Sequence, residues 1–245
     1  MNSTPPYQYQ PLLEDDAIRL LVLQPSEDLE AKVECSLVHT KLSECADDVV
    51  DHYTALFYVW GDARFTTSVL VRRKPFNVTI NLESALRHLR DLSRPRKVWA
   101  DAICINQAND AEKTRQVSQM GEVYKPARHT IIYLGQSTQE PDVLLHYARS
   151  LCNVPGSSLS PLSAQENSTR DWISVLDRPW FRRVWVYQEL IFSENPWLQC
   201  GRVRVRWNQL CRTIQNTAGL IEMRVQCRPS YRWTQSEETF EPRLP

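Results

Sequence analysis

Glycine is scarce in this chain, 6 residues of 245 against 15 prolines, and no GxGxxG or GxxxxGK[ST] arrangement occurs. The phosphate-cradling loops of dinucleotide-binding and P-loop proteins are therefore missing, as are the HExxH and GxSxG patterns of zinc proteases and serine hydrolases. No apolar run approaches the ~18 residues of a membrane span. The opening MNSTPPYQYQPLLEDD carries neither the basic nor the apolar region of a secretory leader, so a cytoplasmic or nuclear protein is expected. Seven cysteines, at 35, 45, 104, 152, 200, 211 and 227, contain no CxxC pair, which argues against both a disulfide framework and a zinc ribbon. Five histidines, at 39, 52, 88, 129 and 146, lack metal-cage spacing. Neither a metal nor a bound prosthetic group is expected.

What is present is core-forming material: 42% of the residues are hydrophobic and 24% charged. A chain of this size buries roughly 70% of the surface its unfolded form exposes, enough for one large domain or two small ones without staples. The charges balance at 29 basic and 29 acidic, but unevenly along the chain. Residues 1–62 hold 12 acidic and 3 basic side chains, whereas residues 170–232 hold 5 acidic side chains and 11 arginines. Such asymmetry would steer an anion toward the C-terminal half, or it forms a solvated, salt-bridged surface. Nucleic acid is not an expected partner, because clustered arginine without a coherent stacking surface is weak evidence for it.

Periodicity divides the chain into short elements. IRLLVL (18–23), KVECSLVHTKL (32–42), HYTALFYVWG (52–61), FTTSVLV (65–71) and PFNVTI (75–80) read as strands. Asn81 is placed to cap a helix whose stripe is Leu82, Ala85, Leu86, Leu89 and Leu92. KVWADAICI (97–105) reads as a buried strand, then a helix capped by Asn109 or Asp110 runs to about Lys125, and HTIIYLG (129–135) is another strand. PDVLLHYARSLC suggests a helix before a polar loop or insertion near 153–169. Further helix is expected at 169–177 and at Trp180–Phe192. WLQCGRVRV (197–205) forms a strand or hairpin and Trp207–Ile221 a last helix. The alternation predicts an α/β layer fold around a mainly parallel sheet with N-terminal strand additions. Residues 1–17 read as a flexible extension, 18–225 as the domain and 226–245 as a tail.

Polar groups at the ends of buried runs are the candidates for chemistry. Tyr58, Trp60, Gly61 and Asp62 stand where a strand yields to a turn, and ligands of open α/β sheets gather at such carboxyl ends. Packing and turn formation explain them equally well. Asp101, in WADAICINQ, needs a partner if buried, and a bidentate guanidinium at Arg115 would supply one, whether to orient a ligand or to lock sheet to helix. In RPWFRRVWVYQEL (178–190), Trp185 and Glu189 fall four apart on one helical face. A carboxylate beside an aromatic wall suits ribose hydroxyls or an oxocarbenium-like state, and also suits plain packing. Arginines of CGRVRVRW (200–207) would meet phosphate or form a solvated sheet edge. Cys104, inside an apolar run, reads as a buried thiol.

Taken in order, YTALFYVWGD, NLESALRHLR, VWADAICINQANDAEKTRQVSQMGEVYKPARHTIIYLG, RPWFRRVWVYQEL and CGRVRVRW resemble the fungal heterokaryon incompatibility (HET) domain over about residues 18–207. The chain departs from the family pattern at Phe57, Lys113 and Tyr133. The resemblance implies fungal non-self recognition and regulated cell death, carried out in the cytoplasm by self-assembly with an incompatibility or NOD-like receptor protein as partner. The family in turn resembles Toll/interleukin-1 receptor (TIR) domains, which implies a flavodoxin-like, three-layer fold and, in some members, cleavage of NAD as substrate. On that resemblance Glu189 is the catalytic residue, Trp60 or Trp185 packs a ring, Tyr58 shapes the pocket, and Asp101 and Arg115 organise its floor. The alternative is a non-enzymatic signalling domain that acts by assembly.

Overall fold

In a computed structural model of the chain, residues 5–47, 52–136, 175–183 and 190–217 are described. β1 (Ala17–Leu23) and β2 (Glu34–Lys41) lead into a short helix, α1 (Leu42–Asp47). β3 (Thr54–Tyr58), β4 (Thr66–Val71) and β5 (Lys74–Thr79) precede α2 (Ile80–Leu89) and β6 (Arg96–Trp99). Three helices follow, α3 (Asp101–Cys104), α4 (Asp110–Ser118) and α5 (Met120–Tyr124), then β7 (His129–Tyr133). A 3-10 turn at Pro179–Arg182, β8 (Pro196–Cys200), β9 (Val203–Arg206) and α6 (Trp207–Thr217) complete the described elements.

The strands form one sheet in the order β5-β4-β2-β1-β6-β3-β7-β8-β9. It is mixed, and the expectation of a mainly parallel sheet is corrected: β2–β4, β3–β6, β3–β7 and β7–β8 are parallel, whereas β1–β2, β1–β6, β4–β5 and β8–β9 are antiparallel. Connection length is the physical reason. Two-residue turns, Arg72-Arg73 between β4 and β5 and Gly201-Arg202 between β8 and β9, permit only hairpins. Arg72 and Arg73 both take positive φ, 49° and 63°, as a primed hairpin turn demands. Apart from the short β2–β4 pairing, the parallel strands form the inner block β6-β3-β7-β8, whose members are separated by helical crossovers or long segments.

Both faces of this block are covered. Phe57 on β3 stacks on Tyr124 of α5, ring centroids 4.1 Å apart, and Tyr124 meets Trp99 edge-on. On the other face Tyr133 of β7 shares its hydroxyl with Ser84 and His88 of α2, at 2.8 and 2.9 Å. Successive strand residues point to opposite faces, so the alternation in TALFY serves two helical layers at once. That explains why every residue of β3 is buried. Trp99 and Trp180 lie fully inside.

Three local expectations change. The run KVWADAICI is a strand only to Trp99; Ala100 then caps one helical turn, with the Cys104 N–H donating to the Ala100 carbonyl at 2.8 Å. The helix after Asn109 is broken at Gln119. Thr79, rather than Asn81, caps α2 through its hydroxyl, while the Asn81 amide donates to the Val59 carbonyl at 3.0 Å. Ahead of β1, Leu12 is buried, the Tyr9 hydroxyl donates to the Ile103 carbonyl, and the Gln10 carbonyl accepts from Arg19.

Candidate functional site

β3 is where the parallel block changes direction. The chain passes from β3 to β6 on one side, then crosses back to β7 on the other. Neighbouring connections diverge at such a point, leaving a crevice outside the carboxyl ends of the strands. A cavity of about 410 Å³ lies there, between the end of β3, the start of α3 and the α4–α5 junction. Tyr58, Trp60, Asp101, Tyr124, Arg183 and Phe192 supply most of its chemistry.

Asp101 is its central acid. Its carboxylate accepts the Trp60 indole N–H and the Ala102 backbone N–H, each at 2.8 Å. Burial holds this carboxyl above the usual aspartate range, opposed by the Trp60 bond, the Ala102 N–H, Tyr58 and the Arg183 charge. Arg183 is turned inward as the Pro179–Arg182 turn ends, and its Nη1 donates to the Tyr58 carbonyl at 3.1 Å. The Tyr58 hydroxyl is buried beside the Asp101 carboxylate and makes no well-formed hydrogen bond. Burial, then the adjacent negative charge, push it well above the ordinary tyrosine value. The cavity thus pairs aromatic walls with one carboxylate, one guanidinium and a buried hydroxyl set beside that carboxylate.

Two glycines shape it. Gly61 takes φ +76°, and a Cβ there would meet Asn81 Nδ2 at 2.7 Å, so the rim turns tightly against the start of α2. At Gly121 a Cβ would stand 3.1 Å from the Phe192 ring, which therefore packs directly on the α5 backbone.

Of the residues singled out in the sequence, Tyr58, Trp60 and Asp101 meet at the cavity, and Gly61 turns the chain just after Trp60 without lining it. Asp62 is turned away into an exposed pair with Arg64 at 2.6 Å. Arg115 is half-buried on α4, does not line the cavity, and leaves its Nε without a hydrogen bond. The partners of Asp101 are Trp60 and Ala102, with Arg183 nearby, instead of Arg115. Trp185 and Glu189 lie outside the described residues. Arg183 and Phe192 are not among the residues that the sequence pattern singles out: Arg183 belongs to an arginine pair ahead of the Trp185–Glu189 spacing and Phe192 follows it. Burial pushes the Cys104 thiol up to about 12, keeping it protonated at neutral pH. Among the described residues no group of three His, Cys, Asp or Glu side chains is arranged to hold a metal, and no helix is long and apolar enough to cross a membrane.

Fold and site together define a mixed-sheet α/β domain with a ligand crevice at the carboxyl ends of its parallel strands. Residues 53–189, more than half of the chain, match the family described as "Heterokaryon incompatibility protein (HET)", and the chain belongs to that family. A relative is the "Heterokaryon incompatibility protein 6, OR allele" of Neurospora crassa, 26% identical over 229 aligned residues that cover 75% of this chain. The matched region spans 33% of that relative's length, so the chain corresponds to about a third of it. No solved structure matches the chain.

Proposed function

We propose that this domain acts in fungal non-self recognition and regulated cell death by cleaving the nicotinamide glycosidic bond of NAD once copies of it have assembled in the cytoplasm. The observation that carries the reading is the aromatic cavity at the carboxyl end of β3, in which Asp101, Trp60, Tyr58 and Arg183 converge. The inner strands run in the spatial order second, first, third, fourth, the order of a flavodoxin-like sheet, and that supports the kinship with TIR domains. Glu189 is the catalytic carboxylate of this proposal. In sequence it stands between Arg183 and Phe192, both of which line the cavity.

The chemistry is a hydrolysis. The bond between ribose C1′ and the nicotinamide nitrogen breaks, its electron pair leaves with neutral nicotinamide, and the positive character on the ribose is stabilised by the Glu189 carboxylate. Water adds at C1′ and loses a proton, giving ADP-ribose. Trp60 packs a ring of the substrate, while Asp101 and Arg183 hold polar groups at the cavity wall. The test is nicotinamide release by the purified protein across a range of concentrations, beside Glu189→Gln. Release that rises with assembly and falls by about 100-fold or more in the variant is expected; unchanged release by the variant would remove Glu189 from the mechanism.

A second reading, signalling by assembly without turnover, draws on the exposed apolar groups around the mouth. Trp60, Val117 and Phe192 are 41%, 52% and 43% exposed, and Ile191 beside them 63%. Such a rim suits a protein contact. It is distinguished by the absence of nicotinamide release from fully assembled protein.

A further inference from the structure

Away from the cavity, the C-terminal end of α2 meets the β8–β9 hairpin in an unusual charge arrangement. Gln199 on β8 is completely buried, and its amide donates to the His88 carbonyl at 3.1 Å and to the Gly201 carbonyl at 2.7 Å. With both amide hydrogens committed, its oxygen accepts from Arg204 Nε at 2.6 Å. Arg204 lies directly across the ladder from Gln199. A fixed residue therefore orients this half-buried guanidinium through its Nε, and neither Nη atom hydrogen bonds to any described residue.

No carboxylate pairs with Arg204. Instead Arg96 and Arg202 stand within electrostatic reach of it, and burial together with these two like charges brings its pKa down to about 10. The nearby acid is Asp91, whose carboxylate is occupied by the backbone N–H groups of Ser93 and Arg94 and lies 3.5 Å from Arg96. Three guanidiniums thus share one carboxylate. Their field extends to His129, which burial first, then Arg128, Arg204, Arg96 and Arg206, hold below the ordinary histidine value. Buried and half-buried cations are normally paired, and a rigid guanidinium fork with free Nη donors matches an oxyanion in geometry.

We propose that Arg96, Arg202 and Arg204 form a binding site for a terminal phosphoryl dianion, separate from the cavity at the end of β3. Its two negative charges match the two cations that Asp91 leaves uncompensated, and the two Nη atoms of Arg204 supply a bidentate contact. Arg202, on the exposed hairpin turn, closes over the anion, and Arg96 approaches from the start of β6. A carboxylate monoanion would leave one charge unmatched. None of the three arginines lines the cavity at β3, so the site stands whether or not NAD is cleaved.

The experiment titrates inorganic phosphate into the full chain by calorimetry, against chloride at matched ionic strength. AMP and adenosine arms separate free phosphate from a nucleotide-borne group. Saturable phosphate or AMP binding is expected, with no response to adenosine, and Arg204→Gln is expected to weaken it by about ten-fold or more. Arg202→Gln, on an exposed turn, should weaken it by about three-fold or more. Arg73→Gln, on the distant β4–β5 turn, should bind as the wild type does. Equal responses to chloride and phosphate, unchanged binding by either arginine variant, or equal loss in Arg73→Gln would each overturn the proposal.

Discussion

Arg19 enters as a lone cation in the apolar strand AIRLLVL, and the structure buries it completely. Its Nη1 donates to the Glu112 carboxylate at 2.5 Å and to the Cys104 carbonyl, its Nη2 to Glu112 and to the Gln10 carbonyl, and its guanidinium lies 4.9 Å from the Tyr9 ring centre. Glu112 also accepts the Asn106 N–H at 2.8 Å, so one ion pair fixes the turn between α3 and α4. Burial works against the Glu112 charge, but Arg19 and the Asn106 N–H outweigh it and the carboxyl is held below the usual glutamate range. A lowered folded-state value means that the contribution is fully present above the ordinary glutamate pKa and lost as pH falls through the folded one. Glu112→Gln should therefore destabilise by about 3–5 kcal/mol at neutral pH, because it leaves a buried guanidinium unpaired. The double change Arg19→Met with Glu112→Leu should recover much of that loss, and urea denaturation at pH 7 and pH 4 measures both. Local spacing suggested Asp101 with Arg115. The pair that forms joins residues 93 apart, and no sequence window displays it.

At the scale of elements, the exit from β3 illustrates how the cavity is held open. Trp60 donates to Asp101, Gly61 turns at positive φ, and Asn81 at the head of α2 ties back to Val59. Gly61→Ala should cost on the order of 1 kcal/mol or more from backbone conformation alone, with a further loss from collision with Asn81. Combining it with Asn81→Ala should remove the collision and leave the backbone cost, a partition that thermal denaturation of the three variants can read. Strands β3 and β7 and helices α2 and α4 were legible because their apolar residues follow a clear period with turn or cap residues at the ends. α3 was not. In WADAICI the apolar residues satisfy either period, and what decides is the burial of Cys104 and Ile103 against β1, a contact between distant segments.

For the whole molecule, alternating strands and helices announced the α/β class, and the ordered motifs announced the family. Strand direction was less accessible. It depends on which segments meet across the sheet, as when β1 inserts between β2 and β6 and imposes antiparallel pairing on both sides. The site was half legible: Tyr58, Trp60 and Asp101 come from strand ends, whereas Arg183 and Phe192 reach the cavity from more than 70 residues further along the chain, beyond anything periodicity reports. The segment ahead of β1 carries the last consequence. Tyr7 and Tyr9 pack edge-on against Phe76 of β5, with Tyr9 and Gln10 also closing over Arg19. A chain begun at Ala17 should lose about 2 kcal/mol of stability with these bonds, read as a lower melting midpoint and earlier cleavage in a protease time course. The opening residues then act as a clasp joining the rim strand to the centre of the sheet, and tension or a competing ligand on that short ribbon would be felt at Glu112 and the α3 turn, whose first residue is the acid that Trp60 holds.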